Sequence, residues 1–240
     1  MKTPTIKGII DRRILINYTV DPEIVAEIIP RPFRPKLYKD KAIVGICLIR
    51  LKEIRPKGFP GFIGISSENA AHRIAVEWEE NGETKEGVYI PRRDSSSFLN
   101  SIIGGRIFPG KHYHAKFDVE ETNGNYKIAF KSSDNTNIAI SAEKTDDFNK
   151  SSIFETLDNA SDFMKNGALG YSPKGDKYEG LLLKTYTWKV EPLKVKSVSS
   201  SFFENIHHFP KDSIQFDNAL LMTSIEHEWS SVADKNHCRV

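Results

Sequence analysis

The densest run of chemically capable side chains in this sequence is Gly104-Gly105-Arg106-Ile107-Phe108-Pro109-Gly110-Lys111-His112-Tyr113-His114-Ala115-Lys116-Phe117. After the Gly/Pro turn the residues alternate. Tyr113, Ala115, Phe117 and Val119 form an apolar set, and His112, His114, Lys116 and Asp118 a polar one, the period of a half-buried strand. If the extended conformation already holds at residue 111, Lys111 points to the apolar side. Desolvation and the like charges of Arg106 and the two histidines would then disfavour its ammonium form. An amine in that condition can form a Schiff base with a ketone. The competing reading is a solvated turn lysine, the commoner state of that residue.

Other groups offer weaker chemistry. His112-x-His114 puts two imidazoles on one strand face, a spacing that a metal site can use when a third ligand joins. The plain alternative is a pair of hydrogen-bonded strand residues, and no metal is assigned. Glu68, in Ser66-Ser67-Glu68-Asn69-Ala70-Ala71-His72, follows a Gly/Pro loop rich in aromatics, residues 56–64. Burial would fit it for proton transfer; exposed at a strand start, it would have no role. Tyr89-Ile90-Pro91-Arg92-Arg93-Asp94 supplies two arginines that could hold a carboxylate bidentately, or two surface charges with Asp94 capping a helix. His207-His208 suggests no role. No G-x-S-x-G, P-loop, dinucleotide fingerprint, H-E-x-x-H or C-x-x-C occurs.

The elements that must position these residues are mostly strands. Residues 13–20 are rich in β-branched and aromatic side chains. A short helix follows, with Asp21 as N-cap, Pro22 at its first position, and Ile24, Val25, Ile28 and Ile29 on one face up to Pro30. Residues 36–38 and 42–54 read as paired strands. Asn81-Gly82 joins 72–79 to 86–90, and Asn123-Gly124 joins 112–121 to 126–132; both dipeptides tolerate the positive φ of a tight hairpin. Residues 95–103 read as a second short helix closed by Gly104-Gly105, and 138–144 as a strand. Ser152-Ile153-Phe154-Glu155 matches a capping box, and Phe154, Leu157, Ser161 and Met164 continue at helical spacing to Gly167. Strands are expected at 178–190, 193–203 and 219–229, with Pro192 at the turn between the first two and a frayed polar tail from 230 onward. The fold class expected is mainly β with a few covering helices, in one domain over residues 1–240, ordered from about 8 to 230.

Composition sets the class. The chain has 240 residues, 34 Lys+Arg against 32 Asp+Glu and a net charge of +2, which argues against a protein that binds nucleic acid through a basic surface. Its two cysteines, Cys47 and Cys238, do not make a disulfide framework, and a reducing cytoplasm is expected. No apolar run reaches membrane-spanning length, and the first residues lack the apolar core of a secretory signal.

The chain resembles an uncharacterised bacterial family, a conserved domain of unknown function grouped with the acetoacetate decarboxylase-like superfamily. The resemblance runs from about residue 12 to 229. It is carried by Val20-Asp21-Pro22-Glu23 with Ile29-Pro30, by residues 42–50 leading into Ile54-Arg55-Pro56-Lys57-Gly58, and by the Glu68 segment. Gly87-Val88-Tyr89-Ile90, Tyr113-His114-Ala115, Trp188-Lys189-Val190-Glu191-Pro192-Leu193 and Glu228-Trp229 complete it. It implies antiparallel sheets closing into a partial barrel or cone around a cavity. The decarboxylase relatives carry a Schiff-base lysine beside a second lysine, with a glutamate and an arginine near the substrate. By resemblance Lys111 falls in the corresponding turn, Glu68 in the acidic position, and Arg13 or Arg106 could supply the arginine. Here the turn reads Pro109-Gly110-Lys111-His112, so that His112 stands where the reactive lysine is expected.

Two readings follow. In one, the cavity binds a small anionic or oxo-acid-like molecule, with Arg13, Tyr89, Arg106, His112, Tyr113 and His114 as contacts. In the other, Lys111 is the nucleophile and Glu68 the proton shuttle of a lyase. Neither calls for a cofactor. The expected partner is a small molecule, not a nucleic acid or a membrane, and self-association into a homo-oligomer stays open.

Overall fold

The computed structural model describes residues 4–97 and 110–236. Its strands are β1 (Ile6–Val20), β2 (Arg34–Pro35), β3 (Leu37–Tyr38), β4 (Lys41–Pro56), β5 (Ile65–Glu80), β6 (Glu83–Ser95), β7 (His112–Thr122), β8 (Asn125–Ser132), β9 (Asn137–Lys144), β10 (Leu169–Lys174), β11 (Lys177–Thr185), β12 (Glu191–Ser200) and β13 (Ile214–Asn236). The helices are α1 (Pro22–Ile28) and α2 (Leu157–Lys165). No described helix is long and apolar enough to cross a membrane.

The hydrogen-bonded neighbours close on themselves twice. One ring runs β6-β7-β8-β9-β12-β13-β1-β4-β5 and returns to β6; the other runs β6-β10-β11-β13-β1-β4-β5 and also returns to β6. Strands β13, β1, β4, β5 and β6 belong to both, so their two faces are both covered. That is why Ile14-Leu15-Ile16 and residues 42–49 are near-continuous apolar runs, the pattern of strands buried on both sides. Side-chain alternation then sorts the residues. Ile14, Ile16, Val44, Ile46, Leu48 and Ile74 pack into one core, and Leu15, Ile43, Cys47, Ile49, Leu51 and Ala75 into the other. In this central sheet a shift of one residue moves a side chain from one interior to the other.

The two Asn-Gly hairpins form as the sequence predicts, with positive φ at Asn81, Gly82, Asn123 and Gly124. Four expectations are corrected. Ser95 ends β6 instead of opening a helix; the rest of that expected helix, with Gly104 and Gly105, lies outside the described residues. The capping box at Ser152 does not form. Ser152 Oγ donates to Asp217 Oδ2 at 2.6 Å, and Ile153 N donates to Oδ1 at 2.8 Å. A buried carboxylate needs such donors, so this stretch is spent on Asp217. Helix α2 starts five residues later under Thr156, whose hydroxyl accepts from Asn159 N at 3.2 Å. The strand expected over 178–190 stops at Thr185, and Pro192 is the second residue of β12, near a strand start where its missing N–H is tolerated. The tail is no frayed end up to Asn236, because residues 230–236 of β13 pair with β11.

Candidate functional site

A cavity of about 120 Å3 lies between the β1-β4-β5-β6 surface and a cover made of α2, β10 and β11. A single water needs only about 10–15 Å3 by the same measure, so the space suits a small molecule. Its walls are mostly apolar, with Leu15, Ile49, Ala75, Val88, Phe163, Met164 and Leu181 among them, yet Arg13, Arg73 and Arg93 also face it, as does Asp94, whose carboxylate is paired with Arg92.

Strand register puts these arginines on one face of the sheet in three successive rows, Arg13 in the row of Ile49, Asn69 and Ser95. Leu15, Cys47, Ala71 and Arg93 form one row across four strands, and Asn17, Gly45 and Arg73 the next. Gly45 leaves room for the Arg73 guanidinium: a Cβ there would lie 3.2 Å from Arg73 Nη2, 3.3 Å from Asn17 Oδ1 and 2.2 Å from the Ile16 carbonyl oxygen. Arg73 Nη2 donates to Asn17 Oδ1, and Nη1 lies 3.4 Å from Met164 Sδ. Asn17 Nδ2 donates in turn to Asn218 Oδ1 at 2.7 Å, and Asn218 Nδ2 to Asp217 Oδ2 at 2.5 Å. The carboxylate at the end of this chain is two amides away from the guanidinium. Arg13 donates from Nε to Cys47 Sγ at 3.1 Å, with Nη1 4.0 Å from Met222 Sδ. Among the described residues neither Arg13 nor Arg73 has a carboxylate partner.

The electrostatic consequence is an interior that favours negative charge. Burial pulls Arg73 down to about 10, with the Cys47 sulfur opposing this and the Arg13 charge adding to it. Burial also pulls Arg93 down to about 10. Even so, a guanidinium near pH 7 stays charged, and for Arg13 and Arg73 a charge facing the interior without a carboxylate partner is costly. Lys36 is different: it lines the cavity but is paired with Glu86 and sits 4.3 Å from the Phe163 ring centroid.

The sequence-derived candidates divide accordingly. Arg13 lines the cavity, and so does His112. Lys111 is exposed, with Nζ 5.1 Å from the Tyr113 ring centroid, and does not line the cavity. It precedes the first residue of β7 and lies on the Tyr113 side of the chain, whereas the cavity is lined from the other side, by His112. His114 is exposed, and among the described residues no third metal-ligating group joins it and His112. Tyr113 is a platform for Arg92, whose guanidinium carbon lies 3.9 Å from its ring centroid. Tyr89 is buried in the other core, where burial pushes its phenol up to about 12. Arg106 lies outside the described residues.

Glu68 also sits away from the cavity. It accepts from Arg12 Nη2 at 2.6 Å and from Arg50 Nε at 2.5 Å, and both arginines also pair with Glu121. Arg12, Arg50 and Glu68 are direct cross-strand neighbours on β1, β4 and β5. Arg13, one residue on, projects from the opposite face. Of the two tandem arginines, Arg92 is spent on the protein itself: it holds Asp94 at 2.6 and 2.9 Å and Asp134 at 2.5 and 2.8 Å. Asp94 is thus a buried ion-pair partner and not a helix cap. Arg73, Asn17 and Cys47 were not singled out from sequence. The available signal was a charged residue in the middle of Ala70-Ala71-His72-Arg73-Ile74-Ala75-Val76, a run that otherwise reads as a fully buried strand.

Among the described residues, the doubly closed sheet with a cavity against its shared strands is an acetoacetate decarboxylase-like fold. Acetoacetate decarboxylase from Legionella pneumophila superposes with a TM-score of 0.66 at 12% identity, over 97% of this chain and 88% of that one. An acetoacetate decarboxylase-like enzyme from Sphingomonas wittichii gives 0.57 at 9% identity, over 98% and 94%. The enduracididine biosynthesis enzyme MppR, complexed with pyruvate, gives 0.56 at 7% identity, over 98% and 91%. These likenesses concern the fold. No curated protein matches the sequence. The chain belongs to DUF2071, a family described as an uncharacterized conserved protein, which it matches over residues 10–222.

Proposed function

We propose that the chain binds a small organic anion, a carboxylate of the oxo-acid kind, in the cavity beside Arg13, Arg73 and Arg93. The observation that carries this reading is the pair Arg13 and Arg73, charged, facing an apolar-walled space and lacking a carboxylate partner among the described residues. A ligand carboxylate would supply the missing counter-charge and accept the forked N–H groups that only sulfur and one amide oxygen now occupy. The pyruvate complex of MppR is in keeping with a ligand of this size in the fold.

The experiment is a thermal-unfolding titration of the full chain with acetate, pyruvate, glyoxylate and inorganic phosphate. A ligand that binds only the folded state raises Tm in a saturable way. Arg13→Met should weaken carboxylate binding by about tenfold or more, the equivalent of one charge-assisted hydrogen bond. Carboxylates that leave the wild-type Tm unmoved, or that act equally on Arg13→Met, would sink the reading.

The lyase reading depends on Lys111. Residues 98–109 contain no lysine, and the lysine at the cavity wall, Lys36, is held by Glu86. Incubation with the same oxo acids and borohydride is therefore expected to leave Lys111 unmodified. A reduced adduct mapped to its peptide would restore the lyase reading.

A further inference from the structure

The cavity holds one nucleophile that simple anion binding does not use. Cys47 is nearly buried at 6% exposure, but it lines the cavity and lies in the same cross-strand row as Arg93. Arg13 Nε is 3.1 Å from its sulfur. Arg73 is 5% exposed, lines the same space, and keeps its Nε without a hydrogen-bond partner. A carboxylate drawn to Arg13 and Arg73 would be held within reach of Sγ. Holding reactants together in this way raises the effective concentration of one beside the other by orders of magnitude.

We propose that Cys47 is a covalent site for small 2-oxo acids. This rests on the anion reading given above. The arginines hold the carboxylate, and the adjacent carbonyl carbon meets Sγ. A carbon–sulfur bond forms, the carbonyl π pair moves onto oxygen, and the proton lost by the thiol ends on that oxygen. The product is a hemithioacetal from an aldehyde acid such as glyoxylate, or a hemithioketal from a ketone acid. No oxidant or leaving group is required, and the reverse step restores the thiol.

The test uses the full chain and two probes. First, iodoacetate and iodoacetamide are compared by peptide mapping. The anionic reagent should label Cys47 about tenfold faster than the neutral one, the lower range of electrostatic enrichment in a charged cleft, and Arg13→Met should abolish the preference. Second, 13C-labelled glyoxylate should give a protein-bound hemithioacetal carbon resonance that is absent in Cys47→Ser. Equal labelling by the two reagents, an unlabelled Cys47, or a resonance that persists in Cys47→Ser would overturn the proposal. If glyoxylate raises the Tm of wild type and Cys47→Ser alike and gives no hemithioacetal signal, the covalent step fails while the anion reading stands. If no carboxylate raises Tm at all, the anion reading itself fails.

Discussion

Lowering the pH from 7 to 4.5 is expected to cost the native state about 2.5 kcal/mol through His72 alone. His72 is fully buried, its ring centroid is 4.3 Å from that of Phe202, and neither ring nitrogen has a hydrogen-bond partner. Burial first, and then the charge of Arg92, pull it down to about 3, with Asp134 partly opposing. The unfolded chain takes up this proton near pH 6.5, whereas the folded chain does so only near 3. Between those values the unfolded state binds more protons, so stability falls as the pH falls. His227, pulled down to about 4 chiefly by burial, adds a loss of the same sign. Asp94, raised by its own burial, works in the opposite direction and trims the total. His72→Leu is close in volume and removes the titrating ring. It should differ from wild type by less than about 1.5 kcal/mol at pH 7, and should lose about 2.5 kcal/mol less on going to pH 4.5. Urea unfolding at the two pH values measures both. An unchanged pH slope in the variant would rule out His72 as the cause.

The second large effect is at Arg92, with the opposite pH dependence. Its guanidinium satisfies Asp94, which is 1% exposed, and reaches on to Asp134. Arg92→Met would leave a carboxylate buried without its counter-charge, a loss of about 3–5 kcal/mol at neutral pH. That is a large fraction of the stability of most domains. The loss should shrink on acidification, since a stranded Asp94 can be neutralised by a proton. Asp94→Asn in the Arg92→Met background should recover much of it, because the amide carries no charge to leave unpaired. A double-mutant cycle on the two positions reads the coupling directly. A coupling within about 0.5 kcal/mol of zero would show that the pair is not what holds this part of the sheet.

The same residues show how much of the protein could be read from its sequence. Asn81-Gly82 and Asn123-Gly124 gave their hairpins because a tight turn depends on the φ tolerance of two adjacent residues. The box at Ser152 misled because its hydroxyl is claimed by Asp217, 65 residues away. The candidate side chains scatter once the chain is folded. Arg13 and His112 reach the cavity, while Glu68 belongs to an ion-pair network on the other face and Lys111 to the surface. In an ordinary two-layer protein, one face of a strand is interior and the other is solvent. Here five strands have two interiors, so "inward" is ambiguous and hydrophobic alternation cannot show which interior a residue enters.

By itself, then, the sequence determined the β-rich class, the hairpins and the family resemblance, all of which depend on local propensity or on the order of motifs along the chain. Only the tertiary structure decided which charges have partners. Arg12 and Arg13 are adjacent in sequence, yet one meets two glutamates and the other faces a cavity beside a thiol. Cross-strand register sets that difference: it brings Arg50 and Glu68 beside Arg12, and puts Cys47 on β4 two residues from the partner of Arg13, within reach of its guanidinium. A buried charge has consequences only through its neighbours, and those neighbours come from strands distant in sequence.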